Sequence, residues 1–152
     1  MSVNLKYALI AYILRDCKDR YFPKMRYKHL KVIKERSPRA GSKAVAAFVR
    51  KRRIYVKSWI IKYFKTPQKI KSILLHELTH CYLGEKSYTH DILFARKICK
   101  IYKKEFGDKY ISVLKNEYWN LDNNLVWRGP YLIKRLDRPS GYRMCKIYGV
   151  IK

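Results

Sequence analysis

The chain has 152 residues, of which 48% are hydrophobic, and its 36 Lys and Arg outnumber 11 Asp and Glu to give a formal net charge of +25. This length and apolar content predict one domain with its own core, spanning residues 1–152. Four cysteines, at positions 17, 81, 99 and 145, form no CxxC pair; their spacing argues against a C-terminal zinc ribbon and a disulfide framework and favours a reducing, intracellular compartment, cytoplasmic, nucleoid or nuclear.

The first predicted element is an amphipathic helix from Asn4 to Tyr21, which Pro23 ends. Its apolar stripe is predicted to contain Leu5, Leu9, Tyr12, Ile13 and Cys17. The apolar run in this helix, Tyr7 to Leu14, is much shorter than the ~20 residues of a membrane span, and no cleavage site of small residues follows it. The sequence therefore predicts neither membrane association nor a signal peptide.

Three strands are predicted next, at His29–Glu35, Ala44–Val49 and Arg53–Ile60. The first alternates apolar and polar side chains, and a segment rich in Pro and Gly separates it from the second. The last two are joined by a basic run, which comprises Arg50, Lys51, Arg52 and Arg53. These features predict a small, mostly antiparallel sheet with basic turns.

The same part of the chain holds most of the charge excess. From Arg20 to His76 there are 18 basic residues and one acid, Glu35. Such a field attracts polyanions, and interleaved aromatic residues offer stacking surfaces, so we expect contact with DNA without sequence preference. The basic run Arg50 to Arg53 is the predicted nucleic-acid-binding segment. The alternative is a solvated lysine-rich surface that reflects genome composition or habitat.

A helix from Pro67 to Leu83 has the clearest signals in the sequence. Thr66 can cap its first amides, Pro67 suits the first helical position, and Gly84 supplies the stop. Apolar residues recur along it at helical spacing, namely Ile70, Ile73, Leu74 and Cys81.

Further helices are predicted from His90 to Phe106, ending at Gly107, and from Lys109 to Trp119. The tail from Leu125 contains several Gly and Pro among short apolar stretches, which predicts short strands and loops. The predicted fold is therefore α+β, a single domain that comprises an N-terminal helix, a small sheet, the helix Pro67–Leu83, and C-terminal helices with short strands.

The helix Pro67–Leu83 carries the motif HExxH, His76 to His80. Histidines at i and i+4 project from one helix face, so both imidazoles can bind one zinc ion. Glu77 lies beside that face, where a carboxylate outside the coordination sphere can take a proton from the attacking water. These residues predict a hydrolytic zinc site. The alternative is two surface histidines on a helix.

A catalytic zinc ion normally takes three protein ligands, so a third must lie downstream. We predict His90, because three of the four histidines fall within fifteen positions and Gly84 allows the chain to turn between them. Glu105 and Asp91 are the competing ligands. Glu105 would make the site gluzincin-like, whereas Leu83 and Lys86 stand where a metzincin needs Gly and His.

With "HELTH" (His76–His80) followed by "HDILF" (His90–Phe94), the chain resembles the SprT-like, or Spartan-type, zinc metalloprotease family. That family has His, three residues and Phe after its HExxH helix. The resemblance covers roughly residues 5 to 105 and extends to a first helix ending in "RDCKDRYF", to strands before the metal helix and to a basic character. It implies a zincin-like fold. Thr89 and Asp91 replace the glycines that usually flank the third histidine. The resemblance implies a protease that degrades proteins attached to DNA.

The sequence thus predicts an intracellular zinc metallopeptidase that acts on DNA-associated proteins, with Zn2+ bound by His76, His80 and His90 and with Glu77 as general base. Two alternatives remain open. One is a basic nucleic-acid-binding protein with a structural or decayed zinc site. The other is a gluzincin-like peptidase with a single protein substrate.

Overall fold

The computed structural model describes residues 3–25, 29–33, 47–50, 53–57, 66–84, 90–119 and 139–152. The chain forms two compact units, residues 1–84 and residues 85–152. This division does not test the prediction of a single domain, because one domain can contain two such units. Among the described residues, no helix is long and apolar enough to cross a membrane.

The described residues of the first unit form two long helices and three short strands. Helix α1 is Val3–Tyr21, and helix α2 is Pro67–Leu83. Between them lie β1 (His29–Ile33), β2 (Ala47–Arg50) and β3 (Arg53–Lys57). β3 is central, parallel to β1 and antiparallel to β2. Helix α2 contacts α1, β2 and β3, so the helix that carries HExxH is supported on more than one side.

The apolar stripe predicted for α1 is wrong in part. The buried residues are Ile10, Ile13, Leu14 and Cys17, whereas Leu5, Leu9 and Tyr12 are exposed by 56%, 41% and 70%. Apolar side chains occupy much of the helix circumference, so both the predicted stripe and the observed one have helical spacing. Only packing against the rest of the unit determines which stripe is buried. On α2 the buried apolar residues are Ile70, Leu74, Leu75, Leu78 and Cys81, and Ile73 is only half-buried.

The described part of the second unit is built mainly from helices. Helix α3 is Ile92–Phe106, and a 3-10 helix (Gly107–Lys109) leads into α4 (Tyr110–Lys115). Helix α5 is Gly141–Ile147 and packs against α3 and α4. The core of this unit comprises, in chain order, Phe94, Ala95, Ile98, Cys99, Ile101, Tyr102, Val113, Leu114, Trp119, Met144 and Cys145.

The prediction of an α+β fold with a small, mostly antiparallel sheet is wrong. Where the structure describes side chains, 77% of the residues are helical and none belongs to a strand. The three strands of the first unit have four or five residues each and make one parallel and one antiparallel pairing. The tail, predicted as strands and loops, contains helix α5. Its glycines and prolines obscured the helical periodicity.

Candidate metal centre

Helix α2 presents the two histidines of the HExxH motif on one face. Pro67 occupies its first turn, and Gly84, at φ 80°, ends it by donating its backbone N–H to the carbonyl of His80. Thr66 stands at the N-cap but makes no side-chain capping hydrogen bond, so the predicted cap is absent. Thr79 donates its hydroxyl to the Leu75 carbonyl at 2.7 Å inside the buried side of the helix. Both histidines of the motif are half-buried.

The two imidazoles approach closely through equivalent atoms. The Nε2 atoms of His76 and His80 are 3.2 Å apart, and the ring centroids are 4.9 Å apart at an interplanar angle of 66°. Two nitrogens bound to one tetrahedral zinc ion at ~2.0–2.1 Å lie about 3.3 Å from each other. The observed separation matches that value. The distance also suits a hydrogen bond in which one neutral ring donates to the other.

The environment of His76 keeps its ring neutral. Burial lowers the pKa of His76 from 6.5 to about 3, because the charged imidazolium loses hydration. At neutral pH the ring is therefore uncharged, which metal coordination requires.

Glu77 lies one position further round the helix and is half-buried. The pKa of the Cys81 thiol rises to about 12, first through burial and second through the negative charge of Glu77. The carboxylate is therefore close enough to Cys81 to affect it, on the turn that also carries the two histidines.

His90 belongs to the second unit, just before α3, and is half-buried. Its ring stacks on Trp119, with centroids 5.4 Å apart and an interplanar angle of 17°, and meets Phe94 edge-on at 4.9 Å. The Tyr148 hydroxyl donates to the His90 backbone carbonyl at 2.8 Å. The pKa of Tyr148 is raised mainly by burial and to a lesser extent by the charges of Asp91 and Cys145, so this hydroxyl keeps its proton.

The two competing ligands have distinct positions. Asp91 is the N-cap of α3, and its Oδ1 accepts a hydrogen bond from the Phe94 backbone N–H at 2.9 Å. Its carboxylate therefore has a structural role at the helix start. Glu105 lies in the last turn of α3. Since a helix rises 1.5 Å per residue, Glu105 is about 20 Å from the start of α3, so it and His90 cannot bind the same ion.

The predicted nucleic-acid-binding segment is only partly described. The backbone pairs Arg50 with Arg53 across the antiparallel ladder of β2 and β3. Lys51 and Arg52 lie outside the described residues. The pairing confirms that the basic run connects two adjacent strands, and the interaction with DNA stays a prediction.

The structure therefore brings His76, Glu77 and His80 together on one helix, and it places His90 in an aromatic setting in the second unit. Trp119 and Tyr148 were not predicted as site residues. Neither has a sequence signal, because their relation to His90 arises from folding of the distant C-terminal segment. No protein-family model, curated protein or solved structure matches the chain.

Proposed function

We propose that the protein is a zinc-dependent metalloendopeptidase in which His76, His80 and His90 bind the ion and Glu77 is the general base. The observation that carries this proposal is the 3.2 Å separation of the His76 and His80 Nε2 atoms. It matches the ~3.3 Å separation of two ligands on a tetrahedral zinc ion. The lowered pKa of His76 agrees with this role, because only an unprotonated imidazole can bind a metal.

Zinc, when bound, supplies a Lewis acid that acidifies water and polarises the peptide carbonyl. His76 and His80 would contribute two ligands from one helix, and His90 would contribute the third. Glu77 accepts the proton of the attacking water at its carboxylate, and it then delivers that proton to the nitrogen of the departing amine. Glu77 lies between the two histidines in sequence, so its carboxylate is beside the proposed ligands but is not itself a ligand.

Proteins associated with DNA are the proposed substrates. The excess of 18 basic residues over one acid from Arg20 to His76 supports attraction to a polyanion. The resemblance of "HELTH" and "HDILF" to the SprT-like proteases supports the same class of substrate. The basic region would recruit the enzyme to DNA through its phosphates, so target choice would depend on location more than on cleavage sequence.

The Glu77→Gln variant tests the role of the general base. The amide preserves the size of the side chain but cannot accept the proton, so we expect zinc content and fold to be retained. Proteolysis of a basic protein substrate should fall by roughly a hundred- to ten-thousand-fold. Glu105→Gln is the matched control and should cleave like the wild type. Normal cleavage by pure Glu77→Gln protein would contradict the proposed mechanism.

The second candidate function is DNA binding with a structural zinc ion, which the net charge of +25 favours. A structural site has four protein ligands and no need of a carboxylate beside it. If the wild-type protein binds zinc and DNA but cleaves no protein substrate with or without DNA, this candidate replaces the peptidase.

A further inference from the structure

Three contacts from the second unit hold His90. Trp119 lies against one ring face, Phe94 meets the ring edge-on, and the Tyr148 hydroxyl binds the backbone carbonyl. The two aromatic residues also pack edge to face, with centroids 5.2 Å apart. Stacking limits the ring orientation, and the hydrogen bond fixes the backbone that carries it.

Trp119 is itself fixed by the segment that begins α5. It is fully buried, and its backbone N–H donates to the Pro139 carbonyl at 3.0 Å. Gly141 donates its N–H to the Glu117 carbonyl at 2.7 Å. A β-carbon on Gly141 would lie 2.8 Å from Trp119 Cε2, inside normal contact distance. A glycine is therefore required there for the indole to keep its place.

Tyr148 connects the other end of α5 to His90. It is the C-cap residue of this helix, and its hydroxyl reaches a residue 58 positions earlier in the chain. Helix α5 thus supports His90 in two ways, through Gly141 beneath the indole and through Tyr148 at the carbonyl.

We propose that Trp119 and Tyr148 are positioning residues that hold His90 in its zinc-binding orientation. This inference rests on the proposed function, because it assumes that His90 is the third ligand. A ligand ordered before the ion arrives loses less conformational freedom on binding, so the site has higher affinity. Changes in residues that orient ligands typically weaken metal binding by about 10- to 100-fold.

Tyr148→Phe is the sharpest variant, because it removes one hydroxyl and keeps the ring. We expect its zinc dissociation constant, measured by competition with a chromophoric chelator, to rise about tenfold over the wild type. Tyr142→Phe is the matched control. The Tyr142 ring lies near the ammonium groups of Lys115 and Lys146 at 4.9 and 5.2 Å, so its variant should bind zinc like the wild type. Gly141→Ala should also weaken binding by displacing the indole.

The double variant Tyr148→Phe/His90→Ala separates positioning from a general effect on folding. If Tyr148 acts through His90, Tyr148→Phe should not weaken zinc binding further in a protein that already carries His90→Ala. An equal loss in both backgrounds, or wild-type affinity in Tyr148→Phe, would overturn the inference. The proposed function fails in a different way, with a wild-type protein that binds no zinc or with zinc affinity that His90→Ala leaves unchanged.

Discussion

The pairing of His76 with His80 results from helix geometry that can be read from the five residues of the motif. One turn separates them, and a continuous helix through this region aligns the rings without any distant contact. The lowered pKa of His76 could not be predicted in that way. It depends on burial by the packing around α2, which the sequence does not specify residue by residue.

The pKa of His76 leads to a prediction for the zinc-free protein. The pKa of the His76 imidazole is near 6.5 in the unfolded chain and about 3 in the folded protein. The unfolded state therefore binds more protons in this window, and the free energy of unfolding should decrease as pH falls through it. One full proton corresponds to about 1.4 kcal/mol per pH unit. Urea unfolding with chelator, at several pH values from 7.5 to 4.5, measures the slope.

The control for this experiment is His76→Gln, which cannot take up the proton. Its unfolding free energy should depend less steeply on pH than that of the wild type by roughly 1 kcal/mol per unit below pH 6. Parallel curves for the two proteins would mean that folding does not lower the pKa of His76.

Among the elements, the helices with strong end signals were predicted best. Helix α2 runs from Pro67 to Leu83 as predicted, because proline and glycine determine its ends locally. Helix α3 ends at Phe106 before Gly107, also as predicted. Helix α5 was missed because Gly141, which suggests a turn in the sequence, is instead required for close packing with Trp119. The reason for that glycine lies in packing between distant segments, which no local pattern reveals.

The start of α3 gives a prediction about an element. Asp91→Ala removes the hydrogen bond to the Phe94 backbone N–H and should destabilise the protein by about 1 kcal/mol. Asp91→Asn keeps a capping oxygen and should lose little. Asp108→Ala is the control, because Asp108 is exposed and is not a cap residue of α3. Thermal unfolding of the zinc-free proteins measures the effect. If Asp91→Ala lost zinc while its stability were unchanged, Asp91 would be a ligand and not a cap.

At the scale of the whole molecule, the dominant property is charge, which the sequence alone provides. A formal charge of +25 predicts binding to polyanions but does not locate the residues that bind them. The α+β prediction failed at this scale, since alternation over a few residues could not establish how much of the chain would be sheet. The placement of His90 among aromatic side chains of the C-terminal segment also lay beyond sequence patterns, because it depends on packing between distant residues.

The charge predicts DNA binding with weak base preference and a steep salt dependence. Replacing Arg50, Lys51, Arg52 and Arg53 by Gln should flatten the slope of log affinity against log salt, by roughly one unit for each phosphate that the variant no longer neutralises. Fluorescence anisotropy with labelled DNA at several salt concentrations measures the slope. Zinc content should not change, because none of the four residues is a proposed ligand. An unchanged slope would place the DNA-binding surface elsewhere.

The measurement that tests the metal centre most directly is zinc content after equilibrium dialysis against a fixed low zinc concentration. The wild type should bind about one zinc ion per chain, since the three histidines provide the three protein ligands of one catalytic site. His76→Ala, His80→Ala and His90→Ala should each lose it, whereas Glu105→Ala should retain it. Retention of zinc by His90→Ala together with its loss from Glu105→Ala would contradict the three-histidine site.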